Sequence, residues 1–416
     1  MQTVRGTKDI LPNEIEAWQN LYKQVLKILN LYNYYEIRTP IIEQTELFLK
    51  GIGHTTDIIN KEMYSFTDQG RRNITLRPEG TASIARSFIS NKLYQKNQIQ
   101  RLWYMGPMFR YERPQNGRQR QFHQLGIECI GSSNVMADVE VIQIAHSILQ
   151  QLKCPEYTLE INSIGNQQER TNYKDALIKY IQLYKDDLDH DSQQRLNTNP
   201  LRILDSKNKK TQDILKDAPC LSKYLKKESQ ENFDLICDYL MLLNIPYKIN
   251  TRLVRGLDYY SYTAFEIVNN NLDNQYTICG GGRYNDLIQQ LGGPYTPAVG
   301  WAIGIERLLL LINQNNNQIE NKNRFYIITQ GLKAQKKAWH LISRLETYNI
   351  KFNLDLSNNS FQKQIKKANQ YNIKCCLILG EKEIEDHTIT IKWLANYSQE
   401  TICYKNIITY IQKKLK

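Results

Sequence analysis

"IQRLWYMGPMFRYERPQNGRQRQFHQLGIECI", from Ile99 to Ile130, holds two apolar runs on either side of a polar tip built around Pro-Gln-Asn-Gly. Two strand-like runs joined by turn residues predict a long β-hairpin. Strand side chains alternate, so Phe122, Gln124, Gly126 and Glu128 share one face of the returning run, while Leu125, Ile127 and Cys129 point to the other. The first face offers an aromatic plate, an amide, a residue without a side chain and a carboxylate. It reads as a binding floor ahead of a plain amphipathic strand, with the mid-strand glycine marking a bulge or the close approach of a ligand.

The cationic side chains of this hairpin are all arginine. No lysine occurs between Lys96 and Lys153, nor between Lys248 and Lys322, although lysine outnumbers arginine in the chain. Arginine is planar, permanently charged and able to bond phosphate or carboxylate oxygens in pairs. Arg110, Arg113, Arg118, Arg120, Arg255, Arg283 and Arg307, from these two windows, are therefore candidates for gripping an anion, the alternative for any one of them being a sheet that excludes lysine and a local acid that pairs the arginine.

Outward toward the N-terminus, "EIEAWQNLYKQVLKILNLYNYY" repeats apolar residues at three and four, an amphipathic helix. "YEIRTPII", broken by Pro40, suits an edge or interface strand. "EMYSFTDQGRRNITLR" predicts a second, shorter hairpin, and in "RPEGTA" Glu79 and Thr81 stand where a helix begins. Helix-start N–H groups favour an anionic group and a carboxylate can hold an ammonium, which suits a zwitterion; an ordinary helix cap fits the same stretch. Toward the C-terminus, residues 166–245 turn Lys/Asp/Gln-rich and helical, an insertion. Strands return at "YTAFEIV" and "QYTICGGG", followed by a helix at "YNDLIQQLGG" and then "AVGWAIGIERLLLLI". The polar run "NQNNNQIENKN" predicts a linker. Beyond it strand and helix alternate, as in a small α/β domain with a parallel or mixed sheet, where Lys363, Lys366 and Lys367 share one helix face.

Composition excludes several classes. The 416 residues, 41% hydrophobic and 23% charged, fit a globular chain of two or three domains, and no eighteen-residue apolar run could span a membrane. The start "MQTVRGTKDILP" lacks the pattern of a secretory signal or transit segment. Eight scattered cysteines form no CxxC pair and no zinc-ligand spacing, so reduced thiols are expected and metal ligands stay unassigned. "GGGRY" fits neither a dinucleotide fingerprint nor a P-loop. The net charge of +12 is lopsided: from Lys322 onward seventeen Lys/Arg face seven Asp/Glu. A basic terminal domain suggests a polyanion such as nucleic acid, with a merely solvated surface as the alternative.

Taken in order, "YYEIRTPIIEQTELF", "GPMFRYERPQNGRQRQFHQLGIE" and "AVGWAIGIERLLLL" resemble motifs 1, 2 and 3 of the class II aminoacyl-tRNA synthetases. "RLVRGLDYYSYTAFE" and "CGGGRYNDL" resemble segments of the bacterial-type histidyl-tRNA synthetases, and the likeness runs from end to end, with "VRGTKDILP" and "INSIGN" fitting as well. Two departures stand out. The acid of the more usual "GGGRYDGL" lies one place later, at Asp286, and Tyr262 replaces a more familiar polar residue.

The resemblance implies an α+β fold: an antiparallel catalytic sheet flanked by helices in two parts (1–165 and 246–321), a helical insertion (166–245) and a C-terminal α/β anticodon-binding domain (322–416). It implies attachment of L-histidine to tRNA(His) through histidyl-adenylate, with ATP as substrate and Mg2+ bridging its phosphates. Arg110, Arg255 and Arg307 would carry catalysis. Glu112 and Phe122 would join Arg110 and Arg307 around ATP. Histidine would meet Glu79, Gly80, Thr81, Gln124, Glu128, Tyr259, Tyr260 and Tyr284, with Arg110 and Arg255, while Arg113 and Gln115 would approach the acceptor end of tRNA. Motif 1 implies a homodimer, and no membrane association is expected; the location would be the cytoplasm, or the plastid stroma for an organelle-encoded chain. The regulatory subunit of ATP phosphoribosyltransferase, which binds histidine without catalysis, resembles the same catalytic domain and is the alternative. It is disfavoured by the basic tail and by "RGLDYY".

Overall fold

The computed structural model describes residues 1–415 apart from 54–55, 97, 116, 207, 270–275, 314–324 and 397. The expected linker and the boundary at 321/322 lie outside the described residues. The chain divides into two compact units, Met1–Asn315 and Asn316–Lys416.

Eleven described strands build the first unit: β1 (Tyr35–Glu36), β2 (Ile42–Gln44), β3 (Tyr64–Thr67), β4 (Asn73–Leu76), β5 (Gln100–Phe109), β6 (Gln121–Ile130), β7 (Thr158–Ser163), β8 (Tyr247–Ile249), β9 (Ser261–Asn269), β10 (Tyr276–Arg283) and β11 (Ala298–Gly304). Eight form one sheet in the order β1-β5-β6-β11-β10-β9-β7-β8, and β2-β4-β3 form a small second one. Neighbours from β5 through β7 run antiparallel; only the two-residue β1 and three-residue β8 add parallel edges. The expected hairpin is β5 and β6, with Tyr104 opposite Gly126 and Phe109 opposite Gln121.

Alternation sorts the faces. Trp103, Leu125, Ile127, Cys129, Val299, Trp301 and Phe265 enter one core with the helices Pro12–Leu31 and Met136–Gln151. Tyr104, Met108, Ala264, Tyr259, Tyr260 and Tyr284 line the other face beneath the helix Thr81–Ser90. Burying a large apolar side chain contributes about 1.5–3 kcal/mol, so a one-residue slip of β6 would forfeit several such terms at once.

The helical stretch holds Gln167–Gln182, His190–Thr198, Lys209–Ile214 and Lys227–Leu242. Asn166 and Glu169 make a reciprocal cap at its start, and buried Glu169 also accepts from Lys226 N and Ser229 Oγ. The last helix sends Phe233, Ile236, Cys237 and Leu240 into the main-sheet core. The earlier helices pack on the opposite face, where Tyr173, Leu177 and Ile181 join the cluster of Tyr104 and Met108, so the stretch touches both sides of the large sheet. The expected helix at 284–293 is a single turn, Leu287–Gln290, closed by Gly292 at φ 89°.

In the second unit, β12 (Phe325–Thr329), β13 (Phe352–Leu354), β14 (Cys375–Leu379), β15 (Thr388–Trp393) and β16 (Gln399–Cys403) form a mixed sheet in the order β13-β12-β14-β15-β16. Cys375 and Cys376 are buried on opposite faces of β14, one in each apolar cluster.

Candidate active site

A cavity of about 350 Å³ opens on the tyrosine-lined face of the large sheet. Its wall brings together ten of the thirteen residues expected around ATP and histidine: Glu79, Thr81, Arg110, Glu112, Phe122, Gln124, Arg255, Tyr259, Tyr260 and Arg307. They come from the start of the helix Thr81–Ser90, the hairpin, the loop before β9 and the helix Ile305–Asn313. Gly80, Glu128 and Tyr284 are buried and form no part of the lining.

The hairpin glycine does not do what its position suggested. A Cβ at Gly126 would stand inside the ring of Tyr104, its cross-strand partner, and a Cβ at Gly80 would meet the same ring. The space is thus filled by the protein's own tyrosine rather than by an approaching ligand, since an aromatic ring across a strand glycine restores the lost packing.

Glu79 behaves as a helix cap. Its carboxylate accepts from the backbone N–H of Thr81 (2.7 Å) and Ala82 (2.8 Å), and burial raises its pKa. Glu128 accepts from the Thr81 hydroxyl (2.7 Å) and from the Tyr284 phenol. It is 1% exposed, and burial pushes its pKa up to about 8 against those two hydrogen bonds.

The arginines separate into different uses. Arg110 lies over the Phe122 ring at 5.2 Å, donates to Pro78 O at 2.9 Å and has Glu112 at 3.8 Å. Arg307 donates to Gly117 O in the hairpin tip (3.3 Å) and to Thr277 O (3.1 Å). Arg255 is paired with Glu266 and faces the Tyr260 ring at 5.4 Å. Burial opposes its charge, but Glu266 and the neighbouring tyrosines outweigh that, so its pKa lies above the ordinary arginine value. Arg255 Nε and Gln124 Oε1 are buried with no hydrogen-bond partner among the described residues. Two cavity-lining residues thus keep polar capacity available to a ligand or water.

Arg283, grouped with these by sequence, is a structural tie. It is 4% exposed, donates to Asp138 and to the backbone of Ser132 and Asn134, and has no place in the cavity. Arg120 donates to Glu112 O and sits over the Tyr111 ring at 3.7 Å, while Arg118 pairs with Glu112. Arg113 and Gln115 are exposed at the hairpin tip.

Sequence reasoning missed Glu266, Thr277 and Glu306, which also line the cavity. Glu266 had a readable signal, a lone carboxylate between Phe265 and Ile267 in an apolar strand. Glu306 had none. β11 ends at Gly304 opposite Gln124, so the next N–H of β6, that of His123, has no strand partner; the Glu306 carboxylate takes it at 2.9 Å and also meets His123 Nδ1 at 2.9 Å. Tyr262 sits in a bulge of β9, where pairing jumps from Ala264 to Ser261, with φ 54°. Its N–H and carbonyl pair with Gly165 and Ile164, so this departure marks a bend tied to "INSIGN". Among the described residues no cluster of three or more His, Cys, Asp or Glu could hold a metal ion.

Residues 6–308 match the family model described as histidyl-tRNA synthetase. The chain belongs to the histidyl-tRNA synthetase family. Residues 324–414 match a second model, described as an anticodon binding domain. The chloroplastic histidine–tRNA ligase of Gracilaria tenuistipitata var. liui is 64% identical, over 99% of this chain and 98% of that protein. The histidine–tRNA ligase of Cyanothece sp. is 51% identical over 98% and 95%. The crystal structure of apo S. aureus histidyl-tRNA synthetase superposes with a TM-score of 0.82 at 37% identity, covering 99% of both chains. An ATP phosphoribosyltransferase regulatory subunit/histidyl-tRNA synthetase from Bacillus halodurans reaches 0.66 at 21% identity and shares the fold.

Proposed function

We propose that this chain activates L-histidine with ATP to histidyl-adenylate and pyrophosphate, then transfers the histidyl group to tRNA(His) with release of AMP. The observation that carries the reading is the convergence of Arg110, Arg255 and Arg307 on one cavity that also holds Gln124, Tyr259 and Tyr260. In adenylation the histidine carboxylate attacks the α-phosphate, and charge builds on its oxygens. Donors held in place beforehand need no reorganisation at that moment, the usual main source of catalysis. Arg255, held by Glu266 with its Nε unused, serves the developing charge. Arg110, at the end of the hairpin strand, holds the α-phosphate and the carboxylate, and Arg307 holds the γ-phosphate. Adenine stacks on Phe122 beside Glu112.

ATP enters as its magnesium complex. The cavity carboxylates Glu112, Glu266 and Glu306 are each already paired with Arg118, Arg255 and His123. Glu79, the remaining carboxylate of the lining, caps the helix at Thr81 and Ala82, so magnesium would find few protein ligands here and would supply charge to offset that of the phosphates. Around the amino acid, Glu79, Thr81 and Gln124 receive the ammonium and carboxylate. Tyr260 meets the imidazole from the cavity wall, with Glu128 and Tyr284 immediately behind Thr81. Arg113 and Gln115 at the exposed hairpin tip face the acceptor end of tRNA, and the second unit takes the anticodon region. The functional form is a homodimer, formed through motif 1. Chloroplastic relatives support a plastid location, and no described helix is long and apolar enough to cross a membrane. A purely regulatory histidine sensor would need neither the three arginines nor a unit matching the anticodon-binding family.

The test is ATP–pyrophosphate exchange with each of the twenty amino acids. Exchange with L-histidine alone is expected, and its absence in folded protein rejects the reading.

A further inference from the structure

We infer that Glu266 is a positioning residue for the adenylation step, a clamp that sets where the Arg255 guanidinium points; the inference rests on the role proposed for Arg255 above. Three independent contacts converge on this pair. The Glu266 carboxylate pairs with Arg255 Nη1 through Oε1, and its other oxygen accepts from the Thr277 hydroxyl at 3.0 Å, so the carboxylate is itself fixed from the neighbouring strand. Opposite Glu266 in the β9–β10 register stands Gly280, and a Cβ there would overlap the Arg255 guanidinium. The guanidinium therefore lies flat against bare backbone, bounded on one side by Glu266 and on another by the Tyr260 ring. Glu266 uses Oε1 on Nη1 and leaves Nε unpartnered.

Arginine has a long, flexible stem, and an unclamped guanidinium at this position would sample several directions. Glu266 and Thr277 are on strands of the sheet rather than on loops, the placement that holds a catalytic group within the narrow tolerance that chemistry needs. Glu266 also lines the cavity, but its carboxylate would repel a phosphate. Its work is thus on Arg255 and not on the substrate directly.

The experiment is a double-mutant cycle on the full-length protein, read by histidine-dependent ATP–pyrophosphate exchange. Glu266→Gln keeps the shape and removes the charge. It is expected to lower kcat by on the order of 10²-fold, the effect of misplacing a catalytic group by about an ångström, with the KM for histidine moving less than about threefold. Glu266→Gln combined with Arg255→Ala is expected to be no slower than Arg255→Ala alone, because the clamp has nothing left to hold. Thr277→Val should show a smaller loss in kcat with the same lack of additivity, and it replaces Glu266→Gln if that variant does not fold. Near wild-type kcat in Glu266→Gln while Arg255→Ala is slow overturns the inference and leaves the role of Arg255 standing. So does full additivity. Near wild-type exchange in Arg255→Ala overturns that role and this inference with it.

Discussion

Two arginines, twenty-eight residues apart and both from the second lysine-free stretch, have opposite fates. Around Arg283, Asp138 and the carbonyls of Ser132 and Asn134 occupy Nε and both Nη groups, so no donor nitrogen is left over although the pair borders a separate, smaller cavity. Around Arg255, one carboxylate occupies Nη1, Nε is unpartnered, and the residue opens on the cavity. Each pair is an arginine with an acid, so the pairing itself does not distinguish structure from chemistry. What distinguishes them is free hydrogen-bonding capacity at the wall of a cavity: every guanidinium nitrogen of Arg283 is occupied, whereas Arg255 keeps an unpartnered Nε beside the candidate site.

The largest expected effect sharpens that contrast. Arg255→Ala should slow histidine-dependent exchange by about 10²-fold or more with the smaller change in thermal stability, because the Glu266 it leaves unpaired faces the open cavity. Arg283→Ala should do the reverse, leaving an unpaired Asp138 and destabilising the fold by about 3–5 kcal/mol. Exchange rates and thermal denaturation on the two variants check this, and matching profiles would break the distinction. Next in size is a comparison between the two units. Ending the chain after Asn315 should abolish most aminoacylation while sparing exchange, as judged by both assays on the same protein; equal damage to both would mean that the second unit supports the catalytic fold.

A third test uses Glu128. Its pKa is raised from the carboxylate range to about 8 by burial, so between roughly pH 4.5 and 8 the folded state holds a proton that the unfolded state has lost. Its contribution is fully present below the unfolded pKa and is lost as pH rises toward 8, by up to about 1.4 kcal/mol per pH unit. The thermal midpoint of the wild type should therefore fall relative to that of Glu128→Gln across this window. Parallel curves would show that Glu128 ionises normally. The smallest effect is expected on the second unit's surface. Replacing Lys363, Lys366 and Lys367 by Gln should raise the KM for tRNA several-fold and flatten its salt dependence, because each phosphate contact releases counterions. Unchanged salt dependence would place the RNA elsewhere.

How far the sequence reached differs from element to element. The β5–β6 hairpin was legible because period-2 alternation and a turn are local signals, and the faces followed from them directly. The mixed sheet of the second unit was legible from a different signal, the alternation of strand-like and helix-like runs along the chain. From the residues alone Arg110, Arg255 and Arg307 were three of seven arginines in lysine-free windows, and the family resemblance singled them out; their convergence required the elements that carry them to become neighbours. Glu306 was invisible, because its role arises where β11 stops one residue short of His123.

By itself the sequence determined the order of the elements, the faces of the hairpin, the family and the chemical types available to the site. These depend on spacing along the chain, and the chain carries spacing. Only the tertiary structure decided that Gly126 is filled by Tyr104, that Arg283 is paired with Asp138, and that Arg255 is held by Glu266 with a donor to spare. Whether a buried polar atom is satisfied depends on what distant strands place within about 3 Å of it, a distance that no local pattern records.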